Sequence, residues 1–209
     1  MADKKIVYLD ETNFNLWISR SQGWSVQGTR AVDLNTYSKG SNIHVIACIS
    51  RDGIEFSEGR FRSSKWEAAN DFIRRMLSCL AGREALDNVV VMVDNAPCHS
   101  RAEEVFDEEE FASVECLRLG PYSPMLNGVE DVFSVFKAAV KRYMAANRRN
   151  ILEVPESSTI AAHRLTVLLH AANTISREVV TSELCRKCIY HTFEFLADAI
   201  LLKDMAVGN

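Results

Sequence analysis

The chain has 209 residues, 47% of them hydrophobic and 25% charged, which suits one globular domain with a substantial core and leaves little room for a second. Its formal net charge of -4 argues against a protein that holds nucleic acid by global charge, so any such partner must be gripped by a local patch. The opening MADKKIVYL lacks the pattern of a secretory signal, and no apolar run approaches the roughly 20 residues that cross a bilayer, so the expectation is an intracellular protein with no membrane partner. Six scattered cysteines (Cys48, Cys79, Cys98, Cys116, Cys185, Cys188) read as thiols of a reducing compartment.

IVYLDE, residues 6–11, reads as a strand. Residues 12–42 follow as a polar stretch long for a connection, in which Trp17, Trp24 and Tyr37 pack either on their own domain or on a partner. Strand-like IHVIACIS (43–50) and IEFSEGRF (54–61) are joined through Asp52-Gly53, a hairpin signal. Trp66, Ala69, Phe72, Ile73, Met76 and Leu80 recur at helical spacing and predict a helix over 64–80. VVVMVD (89–94) reads as a buried strand, 98–110 as a helix, 113–119 as a short strand, and the remainder as long helices, those of 155–209 closing the chain. An early hairpin, then alternating helix and strand, indicates a single α/β or α+β domain over 1–209: a mixed sheet flanked by helices.

Asp10 and Asp94 each stand at the C-terminal end of an apolar run, where open sheets place ligand and catalytic groups. Neighbouring carboxylates raise each other's pKa unless a cation sits between them, so the pair points to a hard divalent ion, Mg²⁺ or Mn²⁺. Each also suits the plainer role of capping the turn that follows, Asp94-Asn95 lying just ahead of Pro97. A third acid, Glu130, stands just inside a helix that opens after GPYSPMLN, and with Asn127 it forms a capping box. The capping box leaves the joint pattern unexplained: a strand-end Asp, a second followed by Asn-x-Pro-x-His, then Tyr-Ser-Pro-x-Leu-Asn-x-x-Glu.

In YLDETNF, GWSVQG, VDNAPCH and PYSPMLNGVEDVFSVFK the sequence resembles the DDE catalytic domain of mariner-like transposases, the Tc/mariner superfamily, over nearly its whole length. The resemblance implies a ribonuclease H-like fold and a catalytic triad of Asp10, Asp94 and Glu130 holding two Mg²⁺ or Mn²⁺ ions. It also implies a nuclear protein that cuts DNA at transposon ends and joins the 3′-hydroxyl to target DNA. Asn95 and His99 match positions of the second motif and would surround the active site, and residues 12–42 correspond to a clamp-like loop that contacts a second subunit of a homodimer. Gly128 departs from the family's usual Pro and would loosen the first helical turn before Glu130. The family's full-length members carry a helix-turn-helix region ahead of the catalytic domain, whereas this sequence opens at the first catalytic strand.

Residues 132–150 contain five cations and no acid, and at about 100° per residue Lys137, Lys141 and Arg148 fall within roughly 40° of Glu130, a stripe for a DNA backbone. Val132, Phe136, Val140 and Tyr143 occupy the other side. A solvated basic face is the plain alternative. The run Glu103, Glu104, Asp107, Glu108, Glu109, Glu110 reads as a solvated helix end. Cys185, Cys188 and His191, with His163 or His170, have zinc-ligand chemistry, although thiols packed on an apolar helix face are the ordinary reading. Two functions follow: a metal-dependent DNA endonuclease and strand-transfer domain, or a transposase-derived module that binds nucleic acid or protein without cleavage.

Overall fold

Alternation along KIVYLDETNFN makes β1 (Lys5–Asn15) the central strand of a five-stranded sheet, with Val7 and Leu9 buried on one face and Tyr8 and Phe14 on the other. The computed structural model describes residues 4–15, 25–30, 42–60, 65–121 and 123–203. β2 (Asn42–Ser50) runs antiparallel to β1, and β3 (Gly53–Arg60) antiparallel to β2. Gly53, at φ +123°, supplies the left-handed turn that the Asp-Gly pair predicts. On the other side of β1 lie β4 (Val89–Val93) and β5 (Glu115–Arg118), both parallel, giving the order β3-β2-β1-β4-β5.

Helices cover both faces. α1 (Trp66–Ala81) buries Phe72, Ile73, Met76, Leu77 and Leu80 against Val7, Leu9, Val89, Val91 and Val93, together with the short α2 (Glu103–Phe106). The opposite face carries α3 (Gly128–Ala146), α5 (Ile160–Val179) and α6 (Ser182–Thr192), and there Phe136 meets Phe14 edge to face at 5.6 Å between ring centroids. Two more short helices, α4 (Arg148–Leu152) and α7 (Leu196–Ile200), complete the described α-helices. Among the described residues, no helix is long and apolar enough to cross a membrane.

Three expectations are corrected. β1 runs past residue 11, because Thr12, Asn13 and Phe14 pair with Val45, His44 and Ile43 and Phe14 is buried, so the expected loop gives up residues 12–15. Trp17, Arg20, Trp24 and Tyr37 lie outside the described residues. The expected helix over 98–110 is instead a single 3₁₀ turn (Pro97–His99) and the four-residue α2. Its would-be C-terminal half is the acidic 107–110 run, whose charges repel one another and oppose the negative end of a helix dipole. Third, the helix carrying Glu130 stops at Ala146, where Asn147 turns its amide Nδ2 and its backbone N–H onto the Tyr143 carbonyl, at 2.9 and 3.0 Å.

Candidate active site

Parallel pairing of β1 with β4 ends at Leu9 and Val93, so Asp10 and Asp94 are the next residues of two adjacent strands. β4 leaves the sheet there, whereas β1 continues, paired with β2 alone. Asp10 therefore sits in mid-strand, not at a strand end, but at the point where the sheet opens beside it. Alternation turns Asp10 to the face of Tyr8 and Phe14, under the first turn of α3. It is 5% exposed, and its Oδ1 accepts the Glu11 N–H at 2.6 Å and its Oδ2 the Asn127 amide at 3.2 Å.

That second bond decides what Asn127 does. Asn127 is the N-cap residue of α3, yet its side chain makes no capping bond and reaches Asp10 instead, so the expected capping box does not form. Glu130, in the same first turn, is exposed and faces Asp10 as well. Burial, then the Glu130 charge, then that of Asp94 push the Asp10 carboxyl from 3.8 up to about 8. Asp94 goes the other way. Burial pulls it up, but the His99 ring, the Ala96 N–H and the Arg118 charge outweigh this and hold it below its ordinary value. Two acids with one sheet register are thus set apart, one inclined to keep a proton and one held as an anion.

The loop after β4 is fixed by a set of bonds, several of them to Asp94. Its Oδ1 accepts from Ala96 N at 3.0 Å and faces His99 Nδ1 at 2.6 Å, and His99 is fully buried. Arg118, from the end of β5, donates to the backbone carbonyls of Asp94 and His99, both at 2.8 Å, and pairs with Glu103. Asn95 donates to the Leu119 carbonyl at 2.5 Å, so it ties the ends of β4 and β5 together and does not meet the acids. Arg118 is not among the sequence-predicted site residues; the sequence signal for it is a cation in a half-buried strand ahead of the Gly-Pro turn.

Lys137 and Lys141 lie on α3, half-buried and exposed respectively, and no ion pair among the described residues involves either. Arg148 opens α4 beyond the break at Asn147, so the basic stripe from Glu130 through Lys141 is not one helix face as far as Arg148. Val132, Phe136 and Val140 are buried on the other side of α3, as their spacing requires, with Tyr143 partly buried. The acidic run lies at the surface, as expected, with Glu103 paired to Arg118, Glu104 to Arg101 and Glu108 to Arg74, and Asp107, Glu109 and Glu110 exposed. Cys185 and Cys188 are buried in the core on the α3 face, while His191 stands exposed against Asp131 at 3.0 Å, so the two thiols pack and the histidine does not join them.

A family model described as DDE superfamily endonuclease matches residues 5–152, from the start of β1 through α4. The chain belongs to this family. Among curated proteins none matches it. Its fold is the ribonuclease H-like fold of the Mos1 transposase catalytic domain. A crystal structure of the mariner Mos1 paired-end complex with Mg aligns at a TM-score of 0.61 and 17% identity, covering 93% of this chain and 55% of that one. The Mos1 catalytic domain with raltegravir and Mg aligns at 0.59 and 14%, covering 97% of this chain and 85% of that one. The Mos1 strand transfer complex aligns at 0.54 and 15%, covering 91% and 55%. This chain thus spans about 55% of the Mos1 chain in those two complexes.

Within this DDE domain the Gly128 departure has a packing reason. A Cβ at Gly128 would lie 3.0 Å from Ile189 Cγ1 and 3.2 Å from Ile189 Cα, so the missing side chain lets α6 press against the first turn of α3. The turn that carries Glu130 is braced from outside by α6, where the family's Pro would brace it through its own ring.

Proposed function

We propose that this chain is the catalytic domain of a nuclear transposase that cuts phosphodiester bonds at transposon ends and joins the 3′-hydroxyl to target DNA, with Asp10, Asp94 and Glu130 holding two Mg²⁺ or Mn²⁺ ions. The observation that carries the reading is geometric: Asp10, 5% exposed, lies beside Asp94 where the parallel pairing ends and near Glu130 in the first turn of α3, and burial and those two acids push its carboxyl up. A hard cation relieves that repulsion as well as a proton does, and an all-oxygen donor set suits Mg²⁺ or Mn²⁺. When bound, such a pair of ions activates a water or 3′-hydroxyl and stabilises the leaving oxygen.

The chain's own groups do the positioning. Asn127 and the Glu11 N–H each hold one oxygen of Asp10. Both bonds to Asp94 fall on Oδ1, so Oδ2 can face a cation. Asp10 feels both other acids, and the three would hold the ions together, Asp10 and Asp94 from the sheet and Glu130 from the helix. Lys137 and Lys141 would carry the DNA backbone along α3, with Arg148 beyond the bend. A homodimer through residues 12–42 belongs to the same proposal.

Nicking of supercoiled plasmid with Mg²⁺ or Mn²⁺ tests it, with Asp94→Asn as the control. The amide oxygen keeps both bonds to the loop while the charge is lost, so the variant is expected to fold and not to cut. Cleavage by Asp94→Asn at the parent's rate would remove Asp94 from the chemistry.

A further inference from the structure

On the opposite face of the sheet from Glu130 the structure assigns a second metal site, a zinc-type site made by Glu11, Cys98 and His99. A Glu11 carboxylate oxygen, Cys98 Sγ and a ring nitrogen of His99 all lie within 4.8 Å of one another, the one such group among the described residues. Glu11 follows Asp10 in β1, so alternation turns it to the face of Val7 and Leu9, where α1 packs on the 3₁₀ turn that carries Cys98 and His99. One strand thus presents Asp10 to one face and Glu11 to the other.

The unsatisfied atoms point to a ligand. His99 is fully buried, and its Nδ1 faces the Asp94 carboxylate at 2.6 Å, an acceptor that calls for the proton on Nδ1. The other ring nitrogen, Nε2, is buried with no hydrogen-bond partner. Glu11 Oε1 is likewise buried and unpartnered. A metal-ligating His typically donates its other ring N–H to a carboxylate, and Asp94 fills that place here. Buried orphan atoms are expensive, and a cation satisfies both at once.

The donor set selects the ion. Thiolate, imidazole and carboxylate suit Zn²⁺, whereas Mg²⁺ prefers oxygen ligands and near-octahedral geometry. Zinc bonds of roughly 2.0 to 2.3 Å require only a modest closing of the three side chains. Burial and the neighbouring Glu11 carboxylate push the Cys98 thiol up to about 12, so the metal-free site holds its proton there. On binding, the S–H bond breaks, the proton leaves to solvent, and the thiolate and Glu11 together balance the two positive charges of the ion. Three protein ligands leave the fourth tetrahedral position to water. A metal held here fixes the His99 ring and, through it, Asp94.

The test uses the full chain, reduced, in excess Mg²⁺ so that an all-oxygen site is already occupied, and titrates Co²⁺ as a spectroscopic probe before Zn²⁺ displacement. One equivalent of Co²⁺ is expected, with thiolate-to-cobalt charge-transfer absorption that Zn²⁺ abolishes. Cys98→Ser should remove that absorption and weaken Zn²⁺ by more than about a hundredfold, beyond the 10- to 100-fold typical of losing an outer partner. Glu11→Gln should weaken Zn²⁺ while keeping the absorption. No thiolate absorption in the parent, or absorption that survives Cys98→Ser and so comes from another of the six cysteines, overturns the site. None of these readings depends on DNA cleavage, so this site and the proposed transposase chemistry fail separately.

Discussion

Asp10 should make the metal-free domain lose stability as the pH rises through neutrality. Its carboxyl stands at 3.8 in an unfolded chain and at about 8 in the fold, so between those values folding takes up a proton. For an acid raised in this way the stabilising contribution is fully present below about pH 4, declines as the pH rises, and is gone above about 8. Within the window the slope approaches about 1.4 kcal/mol per pH unit, so a rise from about pH 5 to about pH 7 should remove about 3 kcal/mol. That is a large share of the roughly 5 to 15 kcal/mol that holds a domain together. Asp94, Glu58 and Glu103 are held below their ordinary values, so their contributions are lost only at more acid pH and do not oppose this slope.

Urea unfolding of the parent and of Asp10→Asn, in chelator, from about pH 5 to about pH 9, isolates the effect, because the histidines and every other group are common to both. The new amide can still accept the Glu11 N–H, and Asn127 can turn its buried, unpartnered Oδ1 toward the amide's NH₂, so the variant should fold. The two curves should diverge by about 3 kcal/mol over the first two pH units, with the variant flatter. Mg²⁺ should stabilise the parent increasingly toward pH 8, since it competes with the Asp10 proton, by about 2.7 kcal/mol at a hundred times its dissociation constant. Parallel curves for parent and variant would refute the assignment of a raised Asp10 and with it the crowding of three acids.

Gly128→Pro restores the family's usual residue and should nonetheless destabilise the domain, because overpacking against Ile189, at about 1–3 kcal/mol, outweighs the roughly 0.4–1 kcal/mol that a compatible Pro gains in the unfolded state; a raised urea midpoint would contradict the packing argument. Arg118→Gln should cost about 1–3 kcal/mol by leaving the Asp94 and His99 carbonyls without their donor, and should speed amide hydrogen exchange at Ala96 and His99. Lys137→Gln with Lys141→Gln should weaken DNA binding and flatten its salt dependence by about 0.9 logarithmic units of slope per lost phosphate contact, with sequence preference unchanged. An unaltered salt slope would move the DNA path to another surface.

What the sequence made legible was what local pattern determines. VVVMV, short and rich in β-branched residues, reads as a buried strand, IHVIACIS and IEFSEGRF need the Asp-Gly turn between them, and α1 shows its core face in the spacing of Phe72, Ile73, Met76 and Leu80. Long-range competition was not legible. Thr12 and Asn13 look like loop and become strand because β2 is there to pair with them. The cations of residues 132–150 run on past Asn147, yet that side chain bonds back to Tyr143 and ends the helix, which detaches Arg148 from the stripe.

Capping residues show the limit most clearly. A sequence says that Asn127 and Asp94 will find hydrogen bonds near a helix start or turn, but not which ones. Asn127 abandons its helix for Asp10, 117 positions away, whereas Asp94 takes the turn N–H of Ala96 and the ring of His99 on the same oxygen. For Asp94, capping and positioning are therefore one set of bonds, not rival explanations. The loop that folds the turn is the loop that holds the carboxylate as an anion beside Asp10, so a substitution that breaks the turn must also disturb the acid pair.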